Sequence, residues 1–127
     1  MSHILIVDDD LSIQKMLKIF FENKKYTVSI ASDGREALYV QSQKSADIIL
    51  TDIFMPEKEG LETIREIRDK YPHVKIIAMS GGAFYRSPND YLTIAKKIGA
   101  DEVICKPFEL KDVHEKILKL IEDMNTN

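Results

Sequence analysis

Ile48-Ile49-Leu50-Thr51-Asp52 is the stretch that decides how this chain of 127 residues can fold. A run of large apolar residues is typical of a strand that is buried on both faces of a sheet. The run ends on Asp52, a carboxylate that is costly to bury in a core but useful where a strand opens into a polar site. A loop that contains Phe54, Pro56 and Gly60 follows. Asp52 is therefore the centre of our candidate site.

Further apolar segments along the chain also read as strands, and helical patterns separate them. The predicted strands cover residues 3–8, 26–31, 47–51, 74–79 and 102–105. Apolar residues at helical spacing predict helices over about 10–21, 33–44, 59–71, 88–98 and 109–124. This alternation indicates an α/β domain with a parallel sheet and helices on both faces. With right-handed crossovers, we expect the flavodoxin-like strand order 2-1-3-4-5.

Local signals mark where several helices begin or end. Asp10 is expected to cap the first helix, and Asp33 to Glu36 has the Asp-x-x-Glu form of a capping box. Pro72 ends the third helix, because the residue before a proline avoids the helical region. Ser87 is expected to cap the fourth helix, and Gly99 is expected to end it.

Size and composition suit a single domain over residues 1–127. The net charge of −3 argues against a stand-alone nucleic-acid binder. The single cysteine, Cys105, cannot form an internal disulfide, and we expect it to be a small core residue. No apolar run approaches the roughly 18–20 residues of a membrane span, and the first strand begins too early for a signal peptide. We therefore expect a cytoplasmic protein.

Polar residues end four of the five predicted strands. The first strand ends in Asp8 and Asp9, the third in Asp52, the fourth in Ser80 and the fifth in Lys106, whereas the second ends without a charge. The carboxyl ends of parallel strands lie at one edge of the sheet, and ligands bind where the strand order reverses. In the expected order that point lies between the first and third strands. The polar ends therefore fall where this fold binds ligands.

The chemistry of these residue types points to phosphate. Carboxylates that lie close together repel one another unless a cation lies among them, and Mg²⁺ suits one or two carboxylates plus phosphate oxygens. A carboxylate such as Asp52 can also be a nucleophile that forms an aspartyl phosphate. Lys106 and the Ser80 hydroxyl could neutralise or bond the phosphoryl oxygens. Gly81-Gly82 would let the backbone approach them closely.

Taken together, these motifs resemble the receiver domain of two-component response regulators over essentially the whole chain. The resemblance is carried by the acidic end of the first strand, the loop after Asp52, the hydroxyl after the fourth strand and the segment around the fifth. The matching residues are Ile4 to Asp10, Asp52 to Pro56, Gly60, Ser80, Gly99 to Asp101, and Lys106 to Phe108.

The resemblance implies a phosphoacceptor signalling domain rather than an enzyme. Asp52 would accept a phosphoryl group from a sensor histidine kinase or a histidine phosphotransfer protein. Asp9 would bind Mg²⁺ directly and Asp8 would assist, while the backbone carbonyl of Phe54 would be a further ligand.

Ser80 and Lys106 would hold the phosphoryl oxygens, and the bond from Lys106 to Pro107 would be cis. The phosphorylated form would act through a downstream protein. Direct contact with nucleic acid and insertion into a membrane are not expected, and the chain would be a monomer or a weak dimer.

Two departures from the family pattern concern how phosphorylation is reported. Receivers often have an aromatic residue three positions before the lysine, where this chain has Val103. Phe84 or Tyr85 could take over that role, because both lie in the loop after Ser80. The second departure is the loop from Ser80 to Ser87, which is Gly-rich and longer than is usual, and which could tune dephosphorylation or the choice of partner.

Three alternatives differ in function. The chain could be the receiver part of a longer response regulator or hybrid kinase. An aspartate-nucleophile phosphatase of the haloacid dehalogenase type would need an acid two residues after Asp52, where Phe54 stands. A flavin-binding module would need a phosphate loop after the first strand, which is acidic here.

The remaining charged residues receive weaker assignments. The histidines His3 and His73 are expected to be exposed or at an edge, and His114 is given no role. A solvated basic face is predicted from Arg65, Arg68, Lys70 and Lys75. A partner-binding face on the last two helices is indicated by Lys96, Lys97 and Lys111.

Overall fold

The computed structural model of the chain describes residues 2–53, 60–81, 93 and 97–125. Within these ranges the backbone forms five strands and four helices. The strands are β1 (His3–Val7), β2 (Thr27–Ala31), β3 (Ile48–Asp52), β4 (Lys75–Gly81) and β5 (Glu102–Lys106). The helices are α1 (Leu11–Asn23), α2 (Gly34–Gln43), α3 (Gly60–Lys70) and α4 (Leu110–Asn125).

The bounds of these elements lie within two residues of the predicted ones. The helix predicted over 88–98 falls largely outside the described residues, as does its cap Ser87. Residues 93, 97 and 98 are helical, and Gly99 has a φ of +98°. A positive φ at a glycine is typical of a helix end, as predicted for this residue. No helix in the described part of the chain has the length and apolar content to cross a membrane.

All five strands are parallel and lie in the order β2-β1-β3-β4-β5, which confirms the predicted fold class. The register aligns Val7 with Thr51 and Asp52 with Met79. On the far side of the sheet, Gly81 aligns with Lys106. The carboxyl ends of β1, β3, β4 and β5 therefore meet at one edge, as the sequence predicted.

Alternating side chains of the strands fill two separate core layers. One layer lies under α2 and α3, and its members include Leu5, Val7, Ile49, Ile64, Ile67 and Ile76. The other lies under α1 and α4, and its members include Ile4, Leu17, Phe21, Ile48, Leu50 and Ile117. Burial of both sheet faces explains the uninterrupted apolar runs Ile4–Val7 in β1 and Ile48–Leu50 in β3.

Two of the predicted N-terminal helix caps, Asp10 and Asp33, lie in the described part of the chain, and both form. The Asp10 side chain accepts hydrogen bonds from the backbone N–H groups of Ser12 and Ile13, which α1 leaves without helical partners. The Asp33 side chain accepts from the N–H of Glu36. The Glu36 carboxylate in turn accepts from the N–H of Ser32, one residue before the position that a capping box predicts.

The prediction of a solvated basic face is wrong for Arg68. Its guanidinium donates to the backbone carbonyls of Gly99, Val74 and Pro72 and forms an ion pair with Asp101 at 2.8 Å. A planar guanidinium can serve several acceptors at once, and here it joins α3 to the segments that precede β4 and β5.

The prediction for Arg65 and Lys70 is confirmed, because both side chains are exposed.

Three other expectations about burial need correction. His3 is 5% exposed rather than at the surface, and its ring nitrogens contact the Ser45 carbonyl and the Ser29 hydroxyl. Cys105 is half-buried, because β5 is an edge strand within the described sheet. The apolar spacing in the sequence also predicts Met16 among the inner residues of α1, but its side chain is 40% exposed.

Candidate functional site

Three carboxylates converge at the carboxyl edge of the sheet. Asp8 follows β1 and Asp52 ends β3, and these strands are neighbours. Asp8, Asp9 and Asp52 each offer a carboxylate oxygen, and these oxygens all lie within 4.8 Å of one another. Asp8 is buried, Asp52 is 7% exposed and Asp9 is exposed. The cluster is therefore anchored in the core and open on one side.

Asp8 is held at both its backbone and its side chain. Its N–H donates to the carbonyl of Ala31, which continues the pairing of β1 with β2. One carboxylate oxygen accepts from the N–H of Asp10 at 2.9 Å, and the other accepts from the Lys106 ammonium at 2.7 Å. Because both oxygens have partners, the Asp8 carboxylate has little freedom to rotate.

Lys106 reaches the carboxylates from the end of β5. Its ammonium nitrogen lies 2.7 Å from an oxygen of Asp8 and 3.4 Å from an oxygen of Asp52. Burial alone lowers the pKa of Lys106, but the hydrogen bond to Asp8 and the negative charges of Asp52 and Asp8 outweigh it and raise that pKa above its ordinary value. Lys106 therefore remains a cation at neutral pH.

The charges of the cluster fit a divalent cation. Three carboxylates face one ammonium group in this region, so negative charge remains uncompensated. Oxygen ligands of this kind are those that Mg²⁺ prefers. The three carboxylates therefore agree with the Mg²⁺ ion that the sequence predicted.

Ser80 lies in β4, next to the strand that carries Asp52, and is 1% exposed. β4 continues to Gly81, so Ser80 is the penultimate residue of the strand rather than the residue after it. Phe54 and Gly82, which were also predicted at the site, lie outside the described residues.

Gly60 begins α3 directly against the backbone of Asp52. A Cβ built at this position would lie 2.4 Å from the Asp52 carbonyl oxygen and 2.4 Å from the Cα of Ile53. Real Cβ atoms do not approach this closely, so only glycine lets α3 begin here without moving β3. The sequence marked Gly60 as part of a motif but gave no reason for it.

The residues predicted to transmit the effect of phosphorylation to a partner-binding surface lie only partly within the ranges that the structure describes. Val103 is half-buried and packs against the core layer under α2 and α3. Phe84 and Tyr85, the proposed aromatic substitutes, lie outside the described residues. The predicted cis bond between Lys106 and Pro107 is confirmed.

Gln14 is the residue at this site that sequence reasoning missed. It is 8% exposed, and its side-chain amide donates to the backbone carbonyl of Asp8 at 2.5 Å. A signal was present in the sequence, because Gln14, Leu17 and Phe21 have the spacing of one helix face, and the other two are core residues. A polar residue at such a position needs a buried partner.

Comparison with known proteins gives one consistent family. The family model described as the response regulator receiver domain matches residues 4–118. The transcriptional regulatory protein TorR of Escherichia coli is 32% identical over 119 residues, which cover 94% of this chain and 50% of that protein. CpxR of Klebsiella pneumoniae is 31% identical over 95% of this chain and 50% of its own. The chain thus spans about half the length of these curated relatives.

Solved structures agree with this match. A CheY-like receiver domain protein from Methanospirillum hungatei has a TM-score of 0.89 and 31% identity, with 99% of this chain and 98% of that chain covered. The chemotaxis protein CheY4 of Vibrio cholerae has a TM-score of 0.84 and 29% identity, with 94% and 98% covered.

Proposed function

Because the chain belongs to the response regulator receiver family, we propose that Asp52 accepts a phosphoryl group from a phosphohistidine of a partner protein. The donor is a sensor histidine kinase or a histidine phosphotransfer protein. The observation that carries the proposal is the cluster of Asp8, Asp9 and Asp52, whose carboxylate oxygens lie within 4.8 Å of one another beside the Lys106 ammonium.

Asp52 is proposed as the nucleophile because it ends β3, which lies between β1, the strand that leads to Asp8, and β4, the strand that carries Ser80. The Asp8 carboxylate is already hydrogen-bonded at both oxygens, one of them to Lys106 at 2.7 Å, and Asp9 lies on the exposed side of the cluster. An Asp52 oxygen forms a bond to phosphorus as the bond from phosphorus to the donor imidazole breaks. The imidazole nitrogen leaves with the electron pair, and the product is an aspartyl phosphate.

Lys106 and Ser80 receive the charge that arrives with the phosphoryl group. The Lys106 ammonium already lies between Asp8 and Asp52, so it can pair with a phosphoryl oxygen on Asp52 with a small movement of its flexible chain. Ser80 lies on the strand beside Asp52 and carries a hydroxyl that can donate to another phosphoryl oxygen.

Asp9, Asp8, Asp52 and the backbone carbonyl of Phe54 would hold Mg²⁺ in this proposal. When bound, the ion supplies positive charge that balances the phosphoryl oxygens during transfer. The exposed Asp9 carboxylate is the group that an incoming ion meets first, and the buried Asp8 carboxylate fixes the inner side of the site.

The output of the domain is proposed to be a protein contact rather than a released product. Phosphorylation changes the charge at the sheet edge, and a downstream protein binds the surface that responds. We propose that the chain acts in the cytoplasm, with its phosphohistidine donor, as a single receiver domain that is a monomer or weak dimer.

Labelling with acetyl phosphate and Mg²⁺ tests the proposal. We expect the wild-type protein to gain one phosphate that is stable in acid but labile to base and hydroxylamine. Asp52→Asn and added EDTA should each abolish labelling. Asp69→Asn, which removes an exposed carboxylate of α3, is the matched control and should label normally. Normal labelling of Asp52→Asn would disprove the assignment of the phosphoacceptor.

A further inference from the structure

We infer that Gln14 is a positioning residue that orients the peptide between Asp8 and Asp9 and so directs the Asp9 carboxylate towards the bound cation. The inference rests on the proposed function, because it concerns the same cation site. It adds a residue of α1 that touches neither the proposed phosphoryl group nor the cation.

The contacts of Gln14 join three elements. Its side-chain amide nitrogen lies 2.5 Å from the carbonyl oxygen of Asp8 and 3.1 Å from the hydroxyl oxygen of Ser32. The side chain is 8% exposed, so water does not readily replace these bonds. A helix residue thus holds the ends of β1 and β2 together.

The Asp8 carbonyl belongs to the same planar peptide group as the N–H of Asp9. A hydrogen bond to this carbonyl therefore limits rotation of the peptide, which sets where the Asp9 Cα and side chain begin. The other contacts of Asp8 act on its own N–H and its carboxylate. Gln14 is the side chain that constrains the link from Asp8 to Asp9.

Asp9 depends on this constraint more than its neighbours do. Among the residues that the structure describes, nothing forms a hydrogen bond or ion pair with the Asp9 side chain, and the residue is exposed. By contrast, the Asp8 carboxylate is bonded at both oxygens. The position from which the Asp9 side chain reaches towards the cation is therefore set mainly by the backbone that precedes it.

Gln14 also gives the end of β2 a role in the site. Ser32 carries no charge, but its hydroxyl contacts Gln14 and its N–H donates to the Glu36 carboxylate. Glu36 is tied to the cap residue Asp33 of α2. A continuous chain of hydrogen bonds thus runs from the start of α2 through Ser32 and Gln14 to Asp8.

Gln14→Met removes the donor while keeping a side chain of similar length, so it tests the hydrogen bond rather than the packing. We expect the Kd for Mg²⁺, measured by titration calorimetry on the unphosphorylated protein, to rise about tenfold, because residues that orient metal ligands commonly contribute at least this much to affinity. At saturating Mg²⁺ the rate of labelling by acetyl phosphate should return close to the wild-type value.

Gln41→Met is the matched control. Gln41 is also a buried glutamine, 1% exposed, but its amide contacts the backbone of Ala46 before β3, away from the site. Both variants should lose thermal stability, and only Gln14→Met should lose affinity for Mg²⁺. An unchanged Kd in Gln14→Met, or an equal loss in Gln41→Met, would overturn the inference.

Ser32→Ala is a second variant that keeps the test decisive if Gln14→Met does not fold. It removes the other partner of Gln14 from a half-buried position and should weaken Mg²⁺ binding in the same direction, by a smaller factor. An unchanged Kd in that variant would count against the inference. Failure of the proposed function is read separately, as labelling that persists in Asp52→Asn.

Discussion

The ammonium nitrogen of Lys106 lies 2.7 Å from a carboxylate oxygen of Asp8, whose side chain has no solvent exposure. The two residues are 98 positions apart, and their ion pair connects the end of β1 to the end of β5 along the carboxyl edge of the sheet. A buried carboxylate that loses its partner is strongly destabilising, because its charge is then uncompensated. Lys106 is therefore expected to matter for folding as well as for phosphoryl transfer.

Replacing Lys106 with methionine should make folding depend on a metal ion. In EDTA we expect the free energy of unfolding to fall by roughly 2 kcal/mol, because a largely buried charge loses its partner. Added Mg²⁺ should restore more stability to Lys106→Met than it adds to the wild type, since a cation replaces the missing charge. Urea unfolding followed by circular dichroism measures both, and suits a chain without tryptophan.

Lys116→Met is the control for this experiment. Lys116 pairs with Glu102 at 3.2 Å, but both side chains are more exposed than those of the pair at the site. Lys116→Met should lower the free energy of unfolding by less than about 1 kcal/mol, and the decrease should be the same with and without Mg²⁺. If Mg²⁺ restores both variants equally, the special role of Lys106 is refuted.

Gly60→Ala should damage both stability and phosphorylation. The added Cβ would meet the carbonyl oxygen of Asp52 at 2.4 Å, so α3 or β3 must shift. We expect this overpacking to lower the free energy of unfolding by about 2 kcal/mol. The displacement of Asp52 should slow labelling by acetyl phosphate by roughly tenfold or more.

Gly99→Ala is the control that separates a general loss of stability from a displacement of Asp52. An alanine at φ +98° is strained, but the nearest atoms to its Cβ would be those of the Arg68 side chain, at ordinary contact distances from 3.5 Å. The free energy of unfolding of this variant should fall by about 1 kcal/mol, and its labelling by acetyl phosphate should proceed at the wild-type rate. A normal rate in Gly60→Ala would show that the close approach to Asp52 does not position the nucleophile.

The sequence was sufficient to predict the fold and the convergence at the sheet edge, because parallel strands place their carboxyl ends together whatever lies between them. Asp8, Asp52 and Lys106 could be assigned from that rule and from their residue types. Gly60 was matched as part of a motif, but its close contact with the backbone of Asp52 required the position of α3.

The hydrogen-bond partners of Gln14 and Arg68 could not be predicted from the sequence, for a physical reason. The acceptors of both are mainly backbone carbonyls, which every residue carries, so no residue type marks them. Arg68 finds its acceptor at Gly99, 31 positions away, only after α3 has packed on the sheet. The basic residues near Arg68 predicted a solvated face, and the spacing of Gln14 with Leu17 and Phe21 indicates an inner position in α1 but not its partner.

Arg68→Lys should destabilise the domain without changing its chemistry. The guanidinium donates to the carbonyls of Gly99 and Val74 and pairs with Asp101, and a single ammonium group cannot reach all of them. We expect a loss of roughly 2 kcal/mol in urea unfolding, since hydrogen bonds to charged groups are individually strong. Labelling should proceed at the wild-type rate, because these contacts lie at the amino ends of β4 and β5.

Arg65→Lys provides the comparison, since Arg65 is exposed on the same helix. Its free energy of unfolding should stay within about 0.5 kcal/mol of the wild-type value. Equal losses in the two variants would mean that the contacts of Arg68 add nothing to stability.

His114 should make the domain less stable in mild acid. Its ring packs edge-to-face against Phe20, Phe21 and Tyr26, and its Nε2 lies 3.2 Å from the Tyr26 hydroxyl. Burial, and then the nearby charge of Lys24, lower the pKa of His114 below its ordinary value of 6.5. The folded state thus disfavours the proton that the unfolded chain accepts.

The sign of the effect follows from this difference in proton binding. The contribution of His114 is fully present above the unfolded pKa and is lost as pH falls from that value to the folded pKa. Urea unfolding between about pH 8 and pH 5 should therefore show a steeper loss for the wild type than for His114→Phe, which keeps a ring but cannot titrate. His73→Gln, at an exposed position, should follow the wild-type slope. Parallel slopes for the wild type and His114→Phe would show that the half-buried His114 ring does not control acid stability.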